Sequence, residues 1–299
     1  MGMNKNAVLF LLGAYRQGVR FERCLTLGHL QINVYRKPLE ALLRKVGAFD
    51  AALFGQFPSD GSVPYADPFL RMLGAKDLHV MDVSDYEGAD ILQNLNEPIP
   101  DALKGRFDVV FDGGTLEHVF NFPTAIRNCM DMVAVGGSLF FHLPANNNCG
   151  HGFYQFGPDV FYRTLSPENG FKVARMIIHA DGPYNRWYQV ADPQEVRQRV
   201  ELITFRPMYL LVHAIKTHDR GAAWHPPQQT TYEQGDYATM RTANETRKQS
   251  LAAARRAALV ERFPAVSQLL RVIKHGVQFY TRHSLTNRRI YRPVPKLPT

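Results

Sequence analysis

The chain has 299 residues, 45% of them hydrophobic and 21% charged, with a formal net charge of +8, which suffices for one substantial core and a smaller appendage. No apolar run reaches the roughly 18–20 residues that span a bilayer, and Ala7-Val8-Leu9-Phe10-Leu11-Leu12 is too short for a signal peptide and lacks a small-residue cleavage site, so a cytoplasmic location is the expectation. Cys24, Cys129 and Cys149 show no CxxC or Cys/His metal spacing, and an odd number of cysteines suits a reducing compartment.

In chain order, residues 4–18 read as a helix. Cys24-Leu25-Thr26-Leu27 reads as the first strand, turning at Gly28-His29-Leu30-Gln31-Ile32-Asn33. A helix over 36–46 follows, then a Gly/Pro/Ser loop over 54–64. A short helix over 66–73 has Asp67 as its cap and Pro68 in its first turn, and Gly74 ends it. Residues 107–146 are the most informative stretch. Val109, Val110 and Phe111 form an apolar run ending at Asp112-Gly113-Gly114, and residues 139–143 form a second ending at Pro144-Ala145-Asn146. Runs this short and apolar suit parallel strands covered on both faces. Between them Ala125, Ile126, Cys129, Met130 and Val133 recur at helical spacing, and Gly136-Gly137 closes the helix. The unit is strand, helix, strand, with a right-handed crossover.

The order FDVVFDGGTLEHV, helix, GGSLFFHLP resembles the second half of a class I S-adenosylmethionine (SAM) dependent methyltransferase. Upstream, Leu78-His79-Val80-Met81-Asp82 resembles the second strand of that fold, whose terminal acid holds the ribose hydroxyls of SAM. Ala89-Asp90-Ile91-Leu92-Gln93-Asn94 resembles its third strand, with a polar residue on the adenine side. Residues 171–180 and 208–216 read as the sixth and seventh strands. The resemblance covers residues 20–218 and implies an α/β, Rossmann-like, doubly wound, seven-stranded and mostly parallel sheet with S-adenosyl-L-methionine as cofactor. The remainder divides into an N-terminal helix over 1–20, a linker over 219–240 and a basic helical extension over 241–299. PANNNCGHGFYQFGPDVFY is similar to a block in poorly characterised methyltransferase-like proteins, which suggests an activity without a substrate.

The first turn departs from the pattern. A Gly-rich turn lets backbone N–H groups approach a ligand closely, yet only Gly28 stands here. Asp82 lies 54 residues beyond it, where about 20 is usual in dinucleotide-binding versions. Either a helix and loop over 36–65 are inserted or the first strand lies elsewhere. SAM carries no phosphate, so loss of a phosphate cradle favours a modified SAM site over a dinucleotide site.

Asp82 is the leading cofactor residue, because a carboxylate just past a buried strand can accept from two vicinal hydroxyls; its alternative is a cap for the turn at Ser84-Asp85-Tyr86. Ser84 is a lesser candidate. Asn94 can read an adenine edge or make an ordinary Asn turn before Pro98. Asp112 and Gly113 sit where the methionine part of SAM and the acceptor would meet, with a plain turn acid as the alternative. A neutral histidine near the acceptor can act as general base; His118 and His151 are the candidates, against structural roles in a helix start and a glycine-flanked loop. Glu117 suits a helix N-terminus through the dipole. The histidines at 118, 142 and 151 lack the short fixed metal-ligand spacing, so the sequence gives a metal no support. GxSxG, Walker A and HExxH motifs are absent from the sequence.

Residues 241–299 hold 13 Lys or Arg against two Glu and no Asp, whereas the rest of the chain is nearly neutral. Leu251, Ala254, Ala258 and Leu259 with Arg255, Arg256 and Arg262 suggest one amphipathic helix, and Val266, Leu269, Leu270, Ile273, Val277 and Phe279 a second after Pro264. Such a tail packs on the sheet with its arginines solvated, lies on an anionic membrane surface, or binds a polyanion. The functional expectation is a SAM-dependent methyltransferase acting on an oxygen or nitrogen of a small-molecule or glycan-linked acceptor, cytoplasmic or peripheral at a membrane. One alternative is a non-catalytic binding module whose His29 and Leu30 fill the cofactor pocket. Nucleic acid ranks last, since no Asn-Pro-Pro-Tyr/Phe motif or recognisable nucleic-acid module is present.

Overall fold

The computed structural model describes residues 2–60, 62–180, 182, 185–221, 223–232, 260 and 262–297. The first expected tail helix, with Leu251, Ala254, Arg255, Arg256, Ala258 and Leu259, lies outside the described residues, as do residues 233–240 of the expected linker.

The elements run β1 (Met3–Asn4), α1 (Lys5–Arg16), β2 (Arg23–Leu27), β3 (Ile32–Asn33), α2 (Arg36–Val46), α3 (Ala51–Gly55), α4 (Asp67–Met72), β4 (Asp77–Asp82), β5 (Ile91–Leu92), β6 (Phe107–Asp112), α5 (Phe122–Met132), β7 (Val133–Pro144), α6 (Pro158–Thr164), β8 (Phe171–Ala180), β9 (Trp187–Val190), α7 (Pro193–Val196), β10 (Met208–Lys216), α8 (Pro264–Thr281) and β11 (Tyr291–Val294). The main sheet has the order β11-β9-β8-β10-β7-β6-β2-β4-β5. β2, β4, β5, β6 and β7 pair in parallel, and β10 runs antiparallel to both β7 and β8. A Rossmann sheet has its six strands in the order 3-2-1-4-5-6; here one reversed strand is slotted between the fifth and the sixth. That is the class I methyltransferase fold.

β2 is the first sheet strand, as expected from Cys24-Leu25-Thr26-Leu27, and it pairs with β4 on one side and β6 on the other. The long gap before Asp82 is therefore an insertion, α2 to α4, rather than a misplaced strand. The strand order reverses direction at β2, so the crevice for a ligand opens at the C-terminal ends of β2 and β6.

The expected seven strands are corrected to nine in the main sheet, with a separate two-stranded pairing of β1 and β3. The added strands, β9 and β11, cover the outer edge of β8, where an unpaired row of N–H and C=O groups would be a template for another chain. Trp187 and Tyr291 lie fully buried in this addition. β11 belongs to the C-terminal extension, which is accordingly not all helical: the chain leaves α8 and returns to the sheet. Nor is the N-terminal helix an appendage. Asn6 to Ala14 of α1 are all buried, because the helix is packed into the core on most of its circumference.

Side chains alternate across the sheet and feed two cores. Leu25, Leu27, Val110, Leu139, Phe141 and Leu143 point to the layer holding α5 and α6. Cys24, Val109, Phe111, Phe140 and Leu211 point to the layer holding α1, α2 and α4. All six residues of β6 are buried, which is why its sequence is nearly continuous in apolar side chains. Its exceptions are Asp112 at its C-terminal end and Asp108, which the Arg23 guanidinium holds at the far end of the strand at 2.8 Å.

α4 starts one residue later than expected. Ala66 stands at the cap position without a side-chain bond, while Asp67 opens the helix and turns its carboxylate to His29. α8 begins at Pro264 as expected but keeps its apolar stripe in solvent: Val266, Leu269, Leu270, Ile273 and Val277 are each at least half exposed. None of the described helices is long and apolar enough to cross a membrane.

Candidate functional site

The ends of β2, β4 and β6 bring Gly28, Asp82 and Thr115 together. Gly28 has φ +76°, and a Cβ built on it would sit 3.8 Å from Asp82 Oδ2 and 3.7 Å from Thr115 Oγ1. Its N–H donates to Met81 O at 2.8 Å, and the Thr115 hydroxyl donates to Leu27 O at 3.1 Å, which ties the three strand ends into one rim. Asp82 is half-buried, and its Oδ1 accepts from the Val83 N–H at 2.6 Å, leaving Oδ2 beside Gly28. Asp82, expected to hold ribose hydroxyls, thus stands beside the Gly28 turn.

The remaining cofactor candidates fare differently. Ser84 is exposed in the turn after β4. Asn94 is exposed, and its Oδ1 accepts from both the backbone N–H and the amide of Asn96 at 3.0 Å, the turn alternative. Asp112 is buried and accepts from the N–H groups of Thr115 at 2.7 Å, Gly114 at 3.0 Å and Leu116 at 3.3 Å, so it folds the β6 turn rather than facing open space. Gly113 is packed against Leu30, whose Cδ2 would lie 3.0 Å from a Cβ there. Leu30 is itself buried in the α1-side core.

His29 closes the same turn from outside. Its ring stacks on Tyr65 at 3.5 Å between centroids, Nε2 meets Asp67 Oδ2 at 2.9 Å, and Nδ1 meets Glu87 O at 2.6 Å. The turn that lacks a second and third glycine is thus held by the Tyr65 ring and the Asp67 carboxylate around the start of α4 and by the Glu87 carbonyl of the loop after β4.

A second group of residues stands just past Asp112, where the turn Leu116-Glu117-His118 precedes α5. Glu117 is fully buried, and neither of its carboxylate oxygens has a hydrogen-bond partner among the described residues. His151 Nε2 lies 3.5 Å and His118 Nε2 3.8 Å from Glu117 Oε1. Burial pushes the carboxyls of both Glu117 and Asp112 well above the ordinary carboxylate range, and the nearby Asp112 raises Glu117 further. Burial, then the neighbouring His151, lower the pKa of His118 and favour its neutral imidazole.

The long loop after β7 delivers His151 to this place. The N–H groups of Phe153 and Tyr154 donate to Glu117 O at 2.7 and 3.2 Å, and Tyr154 Oη donates to Phe120 O at 2.6 Å. A Cβ on Gly152 would fall 2.7 Å from Glu117 O, so only glycine permits the approach. At its base the loop is laced to the start of β10: the amide of Asn148 donates to Met208 O at 2.7 Å, and the Met208 N–H to Asn146 O at 2.8 Å. His118 and His151, both expected as bases, are therefore neighbours. His142 is not part of the group; it is buried in β7 against the rings of His179 and Tyr209.

Sequence reasoning missed Thr115 and Gly152 as site-shaping residues and read Glu117 only as a helix-start acid. Leu-Glu-His beside a distant Gly-His-Gly was the visible signal. What it lacked was the docking of residues 151–154 on the Glu117 carbonyl.

No protein-family profile and no curated protein matches the chain. Similar solved structures include the N-methyltransferase NodS from Bradyrhizobium japonicum WM9 in complex with S-adenosyl-L-homocysteine (15% identity, 72% of this chain and 86% of that one, TM-score 0.38). Another is an S-adenosylmethionine dependent methyltransferase from Mesorhizobium loti (15%, 69% and 95%, TM-score 0.36). A third is the branched-chain polyamine synthase from Thermus thermophilus with N4-aminopropylspermidine and 5'-methylthioadenosine (14%, 75% of this chain, TM-score 0.36). The chain spans 58% of the length of that synthase. The fold assignment rests on the strand order above, not on these distant likenesses.

Proposed function

We propose that the chain is a SAM-dependent methyltransferase that acts on an oxygen or nitrogen of a small-molecule or glycan-linked acceptor. The observation that carries this reading is the convergence of Gly28, Asp82 and Thr115 at the three strand ends flanking the switch in strand order. The residues fit the cofactor: Gly28 leaves its backbone side open beside a carboxylate with one oxygen outside its own turn. Asp82 Oδ2 would accept from the ribose hydroxyls, and Gly28 would let the ligand approach the main chain. When bound, SAM supplies the methyl group with its own leaving group and positive charge. The protein has then to align the acceptor and exclude water. His118, kept neutral by burial, or His151 would take the proton that the acceptor releases.

A second reading is favoured by one specific observation. Leu30 packs on Gly113 and His29 is fixed by Tyr65, Asp67 and Glu87, the arrangement expected if this turn's own side chains occupy cofactor space in a non-catalytic binding module. Calorimetric titration with S-adenosylhomocysteine separates the two. The enzyme reading expects binding by the wild type that is lost in Asp82→Ala; a folded wild type that binds none at millimolar concentration supports the binding module. The exposed apolar stripe of α8, with Arg271, Lys274 and Arg282 on the same helix and at its end, supports peripheral contact with an anionic membrane surface.

A further inference from the structure

We propose that Glu117, His118 and His151 form a binding site for one divalent transition cation of the zinc class. One ligand atom from each of the three lies within 4.8 Å of the other two. Tetrahedral coordination at about 2.0–2.1 Å places neighbouring ligand atoms about 3.3 Å apart. The Glu117 Oε1 to Nε2 separations of 3.5 Å for His151 and 3.8 Å for His118 are close to that edge length. The two imidazole rings stand 5.5 Å apart between centroids and tilted by 50°, so they do not stack.

The independent sign is the carboxylate. A fully buried acid with neither oxygen hydrogen-bonded is costly unless something compensates it. Water or a neighbouring N–H ordinarily does so, and Asp112, five residues earlier, shows the ordinary solution with three backbone donors. Glu117 has none, although its backbone carbonyl accepts two N–H groups from the very loop that carries His151. Those bonds, and the contact that only Gly152 allows, fix the relative position of the two loops without using the carboxylate. Two imidazole nitrogens and one carboxylate are the donor set of borderline transition ions, and three protein ligands leave coordination positions for water or a ligand oxygen. The partly exposed His118 and His151 put those positions on the solvent side. If the methyltransferase reading stands, a hydroxyl-bearing acceptor would be held there, at the end of β6, and the bound cation rather than a histidine base would favour its deprotonation; the metal site itself does not depend on that reading.

The test uses the full chain without any nucleoside, so its failure is distinguishable from a failure to bind S-adenosylhomocysteine. Zinc binding is measured by equilibrium dialysis, and cobalt substitution is followed by visible absorption. The expected result is one ion per chain, with cobalt bands of four- or five-coordinate intensity. Glu117→Gln, His118→Ala and His151→Ala should each weaken binding by about 100-fold or more. Cys149→Ser removes the exposed thiol two residues from His151 and should leave affinity unchanged. His118 and His151 are partly exposed, so their alanine variants keep the fold, checked by circular dichroism. A folded wild type that binds neither ion stoichiometrically overturns the site, as does undiminished binding in both histidine variants or its loss in Cys149→Ser alone.

Discussion

The turns after β2 and β6 both close a buried parallel strand, and they treat their polar groups in opposite ways. In the first, His29 is bonded on both ring nitrogens and stacked on Tyr65, and Leu30 is core. In the second, Asp112 accepts three backbone N–H groups while Glu117 is buried with no hydrogen-bond partner among the described residues. The contrast teaches that hydrogen-bond satisfaction, more than burial, distinguishes a turn that only holds structure from one poised to bind. It also places the unsatisfied carboxylate past the end of β6 rather than at the glycine turn.

The largest expected effect tests the first turn. Leu30→Ala should cost about 2–5 kcal/mol in urea unfolding, the usual loss for a buried leucine. If Leu30 occupies cofactor space, the same variant should bind S-adenosylhomocysteine more tightly than wild type; unchanged affinity would place Leu30 purely in the core. Next, Asp82→Ala should lower that affinity by about 100-fold, the worth of about two hydrogen bonds to a charged group, with little change in melting temperature. An equal affinity in the variant would move the ribose site away from β4.

The pH dependence of folding follows from histidines behind the sheet. Burial lowers His179 and His213 to about 4, whereas an unfolded histidine titrates near 6.5. Between those values the unfolded chain binds protons that the folded chain excludes, so stability falls as pH drops from about 6.5 towards 4 and is independent of these groups above it. Asp112 and Glu117, raised by burial, act in the opposite sense, since they hold protons that the unfolded chain releases. Urea midpoints for wild type and His213→Gln should therefore diverge in slope below about pH 6.5; parallel curves would show that His213 is accessible to protons in the folded state. Gly152→Ala sharpens the second turn. Its methyl meets Glu117 O, and a loss of about 1–3 kcal/mol with displacement of His151 is expected. The smallest effect concerns α8: Leu269→Glu with Ile273→Glu should leave the melting temperature within about 2 °C, both side chains being exposed, yet reduce flotation with anionic vesicles. Flotation unchanged by the pair would remove the membrane reading of this helix.

Much of the sheet was legible. Apolar runs at Cys24, Leu78, Val109 and Leu139 marked parallel strands because both faces of such a sheet are covered. β9 and β11 were not, since four-residue strands carry little period and one of them follows a helix in a basic tail. Asp82 and Gly28 were readable because a strand end and a positive-φ position are local properties. Asn94 and Asp112 were readable as strand-end polar residues too; only the structure shows that Asn94 bonds Asn96 and that Asp112 bonds the Thr115 turn.

The sequence by itself located the central apolar strands, the helix from Pro264 and the candidate histidines. Each follows from periodicity, turn chemistry or charge within a few residues. Only the tertiary structure decided that Leu30 covers Gly113, that β11 brings the tail back to the sheet, and that His151 crosses from the β7 loop to an unpaired Glu117. Those outcomes depend on which distant backbone groups meet, and a chain read one window at a time carries no record of that.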